Sequence, residues 1–533
     1  MSLSLYYNTL RYLKPVQLFF QVYYKVRSKM FGLFGKKPCY TYYRQGFPIV
    51  FSKFPERCES YYGEDMFCFL NLSHRFDGSW DNRAQGDLWR YNLNYMDYLL
   101  QPSMGVAEGY RWIENFIESI TDNSIATDPY PISLRGINWI KFVSIHHNKF
   151  SEKQLERINT SLYSQYRVLT HHTERHLLAN HYLENGFSLL FAAVYFQDEK
   201  LWGFAKHIVE SQLKEQILVD GAHFELSPMY HCIILERLLD CINLLNGAES
   251  ISFDGWIPMK TLLRDYASRM LSWMDAIVVK DDTLPLLNDS ANGVALSPTA
   301  LRDYARSLHV EWKSGVLGAS GYRHVIRSSY EAILDMAPLG VSYNLGHSHA
   351  DTSTFLLWTK EGTLLVDTGT STYNAGLRRD YERSTRAHNA VVVNGYNSSK
   401  VWGAFRCAQR AHAEILEDGP DSYVVRHDGY RDKGVVCSRQ YICHDTDIKV
   451  VDTLEGNHHN AVAYFHLSPE VKIISISKDK VITDRATFLF EGGKDITVEL
   501  VEIAEEYNLL LPSQCICAHF NDRLQTIIEF PIS

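Results

Sequence analysis

The chain of 533 residues has no long apolar run: no stretch approaches the roughly 18 consecutive apolar residues of a membrane-crossing helix, so no transmembrane segment is expected. It has no CxxC pair among its ten cysteines, and ten are too few for a disulfide scaffold. Free thiols in a reducing compartment are therefore expected, with Cys515 and Cys517 as two positions on one face of a strand. It has no surplus of basic residues either. Lys plus Arg number 53 against 62 Asp plus Glu, for a net charge of −9, which excludes the basic footprint of a nucleic-acid binder. Hydrophobic residues at 46% and charged residues at 22% exclude a disordered or collagen-like chain. Tyrosine and histidine are plentiful, at 33 and 22. Both pair an apolar ring with a polar tip, a combination suited to sugar clefts and proton transfer.

The first residues are unusual. Val16 to Tyr24 is a short apolar run between Lys14 and Lys25, and the segment to Lys37 holds no acidic residue. It contains two glutamines and no small-residue cleavage site follows, so it reads as a poor secretory signal. Two readings stand: a basic amphipathic helix on an anionic membrane surface, or docking onto the protein's own surface. The expected location is cytoplasmic or peripheral to the inner membrane, with the periplasm as the alternative.

The chain changes character near residue 315. Before it, helical periodicity runs through Lys153–Thr170, His181–Phe196, Phe204–Leu218, Tyr230–Leu245 and Met259–Val279. Ser227-Pro228 reads as a helix start, with Ser as cap and Pro in the first turn. Asp281 to Pro298 is rich in turn residues and reads as a loop. After it, β patterns dominate: a hairpin about Glu361-Gly362, a strand from His388 to Asn394, and short strands to Thr526–Phe530. Helices followed by strands indicate two segregated domains.

Three clusters could carry chemistry. Asn180-His181 is followed by Asn185 and Ser188 on one helical face, which suits either a helix end lining a cleft or a capped helix with a satisfied histidine. Tyr230 and His231 lie near a helix start, where positive potential favours a phenolate; the alternative is a Tyr packed at a helix start. The strongest is His347-Ser-His349-Ala-Asp351, followed by Asp367 and His388. Two His and one Asp with an open fourth position is ordinary zinc chemistry, against a chance cluster of structural histidines. Thr352 stands where a binuclear metallohydrolase would place a further His, which disfavours that class.

Taken together these segments resemble the heparinase II/III family of polysaccharide lyases, including related alginate lyases. The resemblance rests, in order, on Leu88–Tyr98, Pro131–Trp139, Asn180-His181 with Glu184-Asn185-Gly186, His223–His231, Leu345–Asp351, Leu365–Gly369 and Arg383–Asn389. It implies an incomplete α/α toroid over residues 46–315, preceded by a basic N-terminal segment over 1–45, and an antiparallel β-sandwich over 316–533, with the cleft between the two domains. It implies β-elimination on a uronic-acid glycan, an acidic poly- or oligosaccharide. Asn180 would neutralise the sugar carboxylate, aided by His181 or His347. Tyr230 would be the general acid, and the base on one epimer. His181 would be the base on the other, and His347 the cleft histidine of the β-domain. His349, Asp367 and His388 would hold a structural Zn2+. Tyr373 or Tyr381 would be the β-domain tyrosine. Arg135, Asn138, Trp139 and Glu184 are candidate substrate contacts, Trp139 equally a core residue, and Asp289 lies in a family-like loop. The competing readings are a glycan-binding or assembly protein without turnover, and a glycoside hydrolase using Glu184 or Glu225 with Asp220 or Asp289.

Overall fold

The computed structural model describes residues 3–33, 41–248, 251 and 253–531. Cys39 lies outside the described residues; the other nine cysteines are free thiols, and Cys515 and Cys517 are both buried in one strand.

The N-terminal half is helical. Helices α1 (Leu3–Leu10) and α2 (Pro15–Leu33) lead into α3 (Asp87–Tyr95), α4 (Val106–Ser119), α5 (Pro129–Ile145), α6 (Glu152–His171), α7 (Ala179–Tyr195), α8 (Glu199–Gln216), α9 (Pro228–Asn246), α10 (Trp256–Ile277) and α11 (Pro298–Ser307). Local chemistry sets several of these boundaries. Ser151 and Gln154 form a reciprocal capping box at α6. The Ser227 side chain accepts the Tyr230 amide at the start of α9, and Pro228 occupies its first turn. Helices α5, α7 and α9 are apolar almost all round because neighbours cover them on several sides. Gly186 lets α7 and α8 approach closely; an added Cβ would stand 2.7 Å from the Ile208 side chain. A small antiparallel pair, Met66–Phe69 with Leu72–Arg75, precedes α3.

The C-terminal half is antiparallel sheet. Tyr322–Ile326, Tyr330–Asp335, Phe355–Thr359 and Gly362–Leu365 form a four-stranded meander. A ten-stranded sheet follows, with Thr487–Glu506 and Leu509–Glu529 as its long central hairpin. Alternating burial along Val436–Cys443 marks a strand with one face inward. The inner faces of the two sheets share one apolar core, from Val325 and Phe355 to Phe465, Phe488 and Ile528. This is the helices-then-sandwich architecture expected from the sequence.

The two halves meet through specific contacts. The tip of the long hairpin reaches the helical half, where Asn71 Nδ2 donates to Tyr507 O at 3.0 Å and Asn508 Nδ2 donates to Leu70 O at 2.8 Å. The loop after α10 returns to the sheet half through Asp289, whose backbone N–H donates to His347 O at 3.1 Å.

Candidate active site

Asn180 is the second residue of α7. The two residues before it, Leu178 and Ala179, have φ of +60° and +52°, and Leu226 has φ of +57°. Left-handed backbone at non-glycine residues costs energy and is held only where the surroundings fix it. Here it brings two turns together. The Asn180 backbone N–H and Nδ2 both donate to Glu225, with Nδ2 lying 3.0 and 2.9 Å from the two carboxylate oxygens. Asn180 Oδ1 is buried and has no protein partner, so it is an open acceptor. Burial alone would raise Glu225, but His223, His347 and the Asn180 donors outweigh it and hold the carboxyl below its ordinary range.

Glu225 links the helical half to the sheet half. Its Oε2 lies 3.8 Å from His347 Nε2. His347 Nδ1 stands 2.9 Å from Asp289 Oδ2, and the His347 ring lies 4.0 Å, centroid to centroid, from Tyr230. The Tyr230 and Tyr373 hydroxyls are 3.2 Å apart. The structure thus brings Asn180, Tyr230, His347 and Tyr373 to one place. Tyr381 lies elsewhere, in a hollow with Arg378, Arg386 and Glu499, so of the two candidate tyrosines it is Tyr373 that faces Tyr230.

Asp289 is the electrostatic centre. Fully buried, it accepts from Arg379 Nη1 and Nη2 at 2.5 and 2.7 Å, from His349 Nε2 at 2.8 Å, and from His347. Burial opposes its charge, yet Arg379 and the two histidines hold its carboxyl well below the usual range. An ionised carboxylate only accepts, so both histidines donate to it. That leaves a lone pair on His349 Nδ1, while His347 Nε2 faces Glu225.

His181 forms a second histidine–carboxylate pair. Its Nδ1 lies 2.9 Å from Glu174 Oε1, and Asn185 holds Glu174 from both sides: Asn185 Nδ2 donates to Oε2 at 3.0 Å and Asn185 Oδ1 accepts the Glu174 amide at 2.7 Å. Burial pushes His181 down, but Glu174, with Glu225 and Glu184, outweighs it and the net shift is upward. About a third of the His181 side chain is exposed, so the ring remains reachable.

Tyr230 departs from the sequence expectation. Burial, reinforced by Tyr507, Asp289 and Glu225, raises its phenol well above the ordinary value, against a smaller lowering by Tyr373. Desolvation of the anion outweighs the helix-end potential, so Tyr230 carries its proton at neutral pH.

Three candidate sugar contacts lie in the helical core instead. Arg135 is fully buried on Gln165, Asn94 O and Ala126 O, Asn138 donates to Tyr95 O, and Trp139 has no exposed surface. They lie on the inner turns of α5, where an Arg satisfied by carbonyls supports the fold. Glu184 is likewise internal, paired with Arg237 at 3.1 Å. The carboxylates a hydrolase would use are otherwise engaged: Glu225 and Asp289 flank the same imidazole and both are held ionised, while Asp220 caps the backbone of Gly318 and Ser320.

His349, Asp367 and His388 form a buried group whose ligand atoms all lie within 4.8 Å of one another. His349 Nδ1 and His388 Nε2 are buried with no partner, because the other nitrogen of each ring is engaged by Asp289 and by Asp367. Burial pushes His349 down to about 4, so it is neutral, as a metal ligand must be. Against burial, Asp367 and Asp351 raise His388, so a metal ion there would have to displace the proton they favour; with it gone, two imidazole lone pairs beside a carboxylate fit a zinc-type ion. Asp351 is not in this group. The HxHxD segment is not a strand, and its alternation does not place the three side chains together.

Sequence reasoning passed over Glu174 and Arg379 and gave Glu225 no role beside Asn180. The only signal for Glu225 was its place in the Phe224–His231 segment, before the helix start.

A helical half and an antiparallel sheet half, joined by a cluster of histidines, tyrosines and a buried carboxylate, define a protein of the heparinase III fold. Crystal structures similar to this chain include Heparinase III (TM-score 0.63, 15% identity, 82% of this chain and 76% of that one). Another is heparan sulfate lyase HepC from Pedobacter heparinus (TM-score 0.56, 18% identity, 87% and 81%). The family description "Heparinase II/III N-terminus" matches residues 132–309, and "Heparinase II/III-like, C-terminal" matches residues 310–530. The chain belongs to the heparinase II/III-like family. Among characterised relatives, the heparin-sulfate lyase of Bacteroides stercoris is 21% identical over 500 residues, covering 82% of this chain and 70% of the relative. That of Pedobacter heparinus is 22% identical over 268 residues, covering 43% and 39%.

Proposed function

We propose that this protein is a polysaccharide lyase that cuts a uronic-acid-containing glycan by β-elimination. The observation that carries the reading is the convergence of a protonated phenol, Tyr230, and the His347–Glu225–Asn180 chain where the two halves meet. In the reaction a base removes the C5 proton, the electron pair forms the C4–C5 double bond, and the C4–oxygen bond breaks. The leaving oxygen takes a proton. Tyr230 supplies it, since its raised phenol is protonated and sits beside Tyr373. His181 is the base, its Nδ1 held by Glu174 and its ring reachable. This is the arrangement by which a carboxylate orients a catalytic imidazole.

The C5 proton is only weakly acidic while the neighbouring carboxylate keeps its charge, so the site must neutralise that group. Asn180 Oδ1, an open acceptor, suits a protonated sugar carboxyl, and His347 stands beside it through Glu225. His349, Asp367 and His388 would hold a structural zinc ion that pins three segments of the sheet half and steadies the loop bearing His347. The acidic nature of the glycan belongs to the same proposal, as does a cytoplasmic or membrane-peripheral setting, which nine free thiols support.

The test is incubation with a panel of uronate polysaccharides, following ultraviolet absorbance of the unsaturated uronate. Product from at least one acidic glycan is expected, with none from neutral glycans. Glycan binding without product across the panel would replace this reading with a non-lytic binding protein.

A further inference from the structure

Helix α2 is inside out. Its polar side docks on the protein: Gln17 is buried and donates to Leu177 O at 3.1 Å, and Tyr24 OH donates to Thr173 O at 2.6 Å. The preceding turn and α1 complete the attachment across both halves. Lys14 pairs with Glu215 of α8, Trp402 Nε1 donates to Thr9 Oγ1 at 3.1 Å, and Arg410 stacks on Tyr12 at 3.5 Å. The opposite side of α2 is apolar. Val16, Phe19, Val22, Tyr23, Val26 and Met30 fall within an arc of about 120° at 3.6 residues per turn. All six are exposed, by 38% to 63%. In a soluble helix docked on a core the apolar stripe faces inward; here a continuous apolar face is turned outward.

Charge says what covers it. No acidic residue occurs before Glu56, whereas nine basic residues do, in a chain that totals 53 basic against 62 acidic. Lys25 and Lys29 are exposed on α2 beside the stripe. A second copy of this face would set these positive charges against each other. An anionic lipid surface matches both features: acyl chains take the apolar ridge and head groups the lysines. The helix is too short of apolar residues to cross; no described helix is long and apolar enough to span a membrane. We propose that α2 is an interfacial helix that holds the protein on an anionic membrane surface. The remaining, net acidic surface is repelled by such a membrane, so this face alone would approach it. The inference is independent of the chemistry in the cleft.

The experiment is co-sedimentation of the full chain with vesicles of neutral phosphatidylcholine alone or mixed with anionic phosphatidylglycerol, at low and high salt. Binding to the anionic vesicles at least about tenfold tighter than to neutral ones, weakened by salt, is expected. Phe19→Glu with Val26→Glu, both exposed and verified folded by circular dichroism, should lower that binding at least about tenfold. Lys25→Glu with Lys29→Glu should abolish the preference for anionic lipid. Wild-type protein that stays in the supernatant with every vesicle overturns the proposal, as does equal binding to neutral and anionic vesicles. A concentration-dependent dimer in sedimentation velocity that Phe19→Glu dissolves, without vesicle binding, assigns the face to a second copy instead.

Discussion

Replacing Asp289 with Asn removes one charge and keeps the shape, at the point where the two halves are joined. In the native site five donors converge on its two oxygens: both Arg379 nitrogens, His347 Nδ1, His349 Nε2 and, at 3.3 Å, Thr370 Oγ1. An amide offers one acceptor oxygen and turns a second group into a donor. At least two of these donors then face an N–H, and the fully buried Arg379 guanidinium loses its counter-charge. Removing one partner of a buried ion pair costs roughly 3–5 kcal/mol. His347 would also lose its charged partner, the Asp289 carboxylate that orients its ring. The expected outcome is a loss of about 3–5 kcal/mol in urea unfolding, with increased amide exchange around His347 and Arg379, and turnover reduced by at least about a hundredfold. Chemical unfolding, hydrogen exchange and absorbance kinetics on one preparation read all three. A variant as stable as wild type, with unchanged exchange in the 345–350 segment, would refute the role given to Asp289.

Other outcomes follow from the same geometry. Tyr230→Phe should lower kcat by roughly 10²–10⁴ while costing only about 0.5–1.5 kcal/mol of stability, the worth of one hydrogen bond; turnover within a few-fold of wild type would exclude it as the acid. Because Glu174 raises His181, the rate should climb with pH through an inflection above the ordinary imidazole value of about 6.5. In Glu174→Gln only Glu225 and Glu184 still oppose burial, and that inflection should move to lower pH; an unmoved acid limb would separate His181 from the base. No falling limb is expected below pH ~10, since Tyr230 is raised above the ordinary phenol value. Elemental analysis should find about one zinc per chain, and His388→Ala should lose it together with thermal stability; metal content unchanged in that variant would remove the site.

Much of the fold was legible from periodicity alone. The helix expected over Lys153–Thr170 is Glu152–His171, and the one over Tyr230–Leu245 is Pro228–Asn246, because Ser caps and an apolar stripe mark such elements locally. The long central hairpin was not legible. Only pieces of it, at Thr497–Ile503, Cys515–Cys517 and Thr526–Phe530, read as strand in the sequence. In the structure Gly492 and Gly493 are absorbed as register shifts within Thr487–Glu506, with Gly492 at φ +86°. At the site, histidines and tyrosines could be picked out by type, but their partners could not. Glu225, Glu174 and Arg379 are ordinary charged residues until folding places them against Asn180, His181 and Asp289. The same limit misplaced Arg135 and Asn138: a polar residue on an amphipathic helix looks the same whether it faces a cleft or a neighbouring carbonyl. The expected lowering of Tyr230 considered the helix end alone and omitted burial, which is set by Tyr373 and Tyr507 from the other half.

The most direct measurement is the mass of the product formed in heavy-oxygen water. Elimination breaks the C4–oxygen bond without consuming water, so the new non-reducing end should be an unsaturated uronate carrying no heavy oxygen. A saturated product that has gained heavy oxygen would mean hydrolysis, and the elimination assigned to Tyr230 and His181 would be wrong.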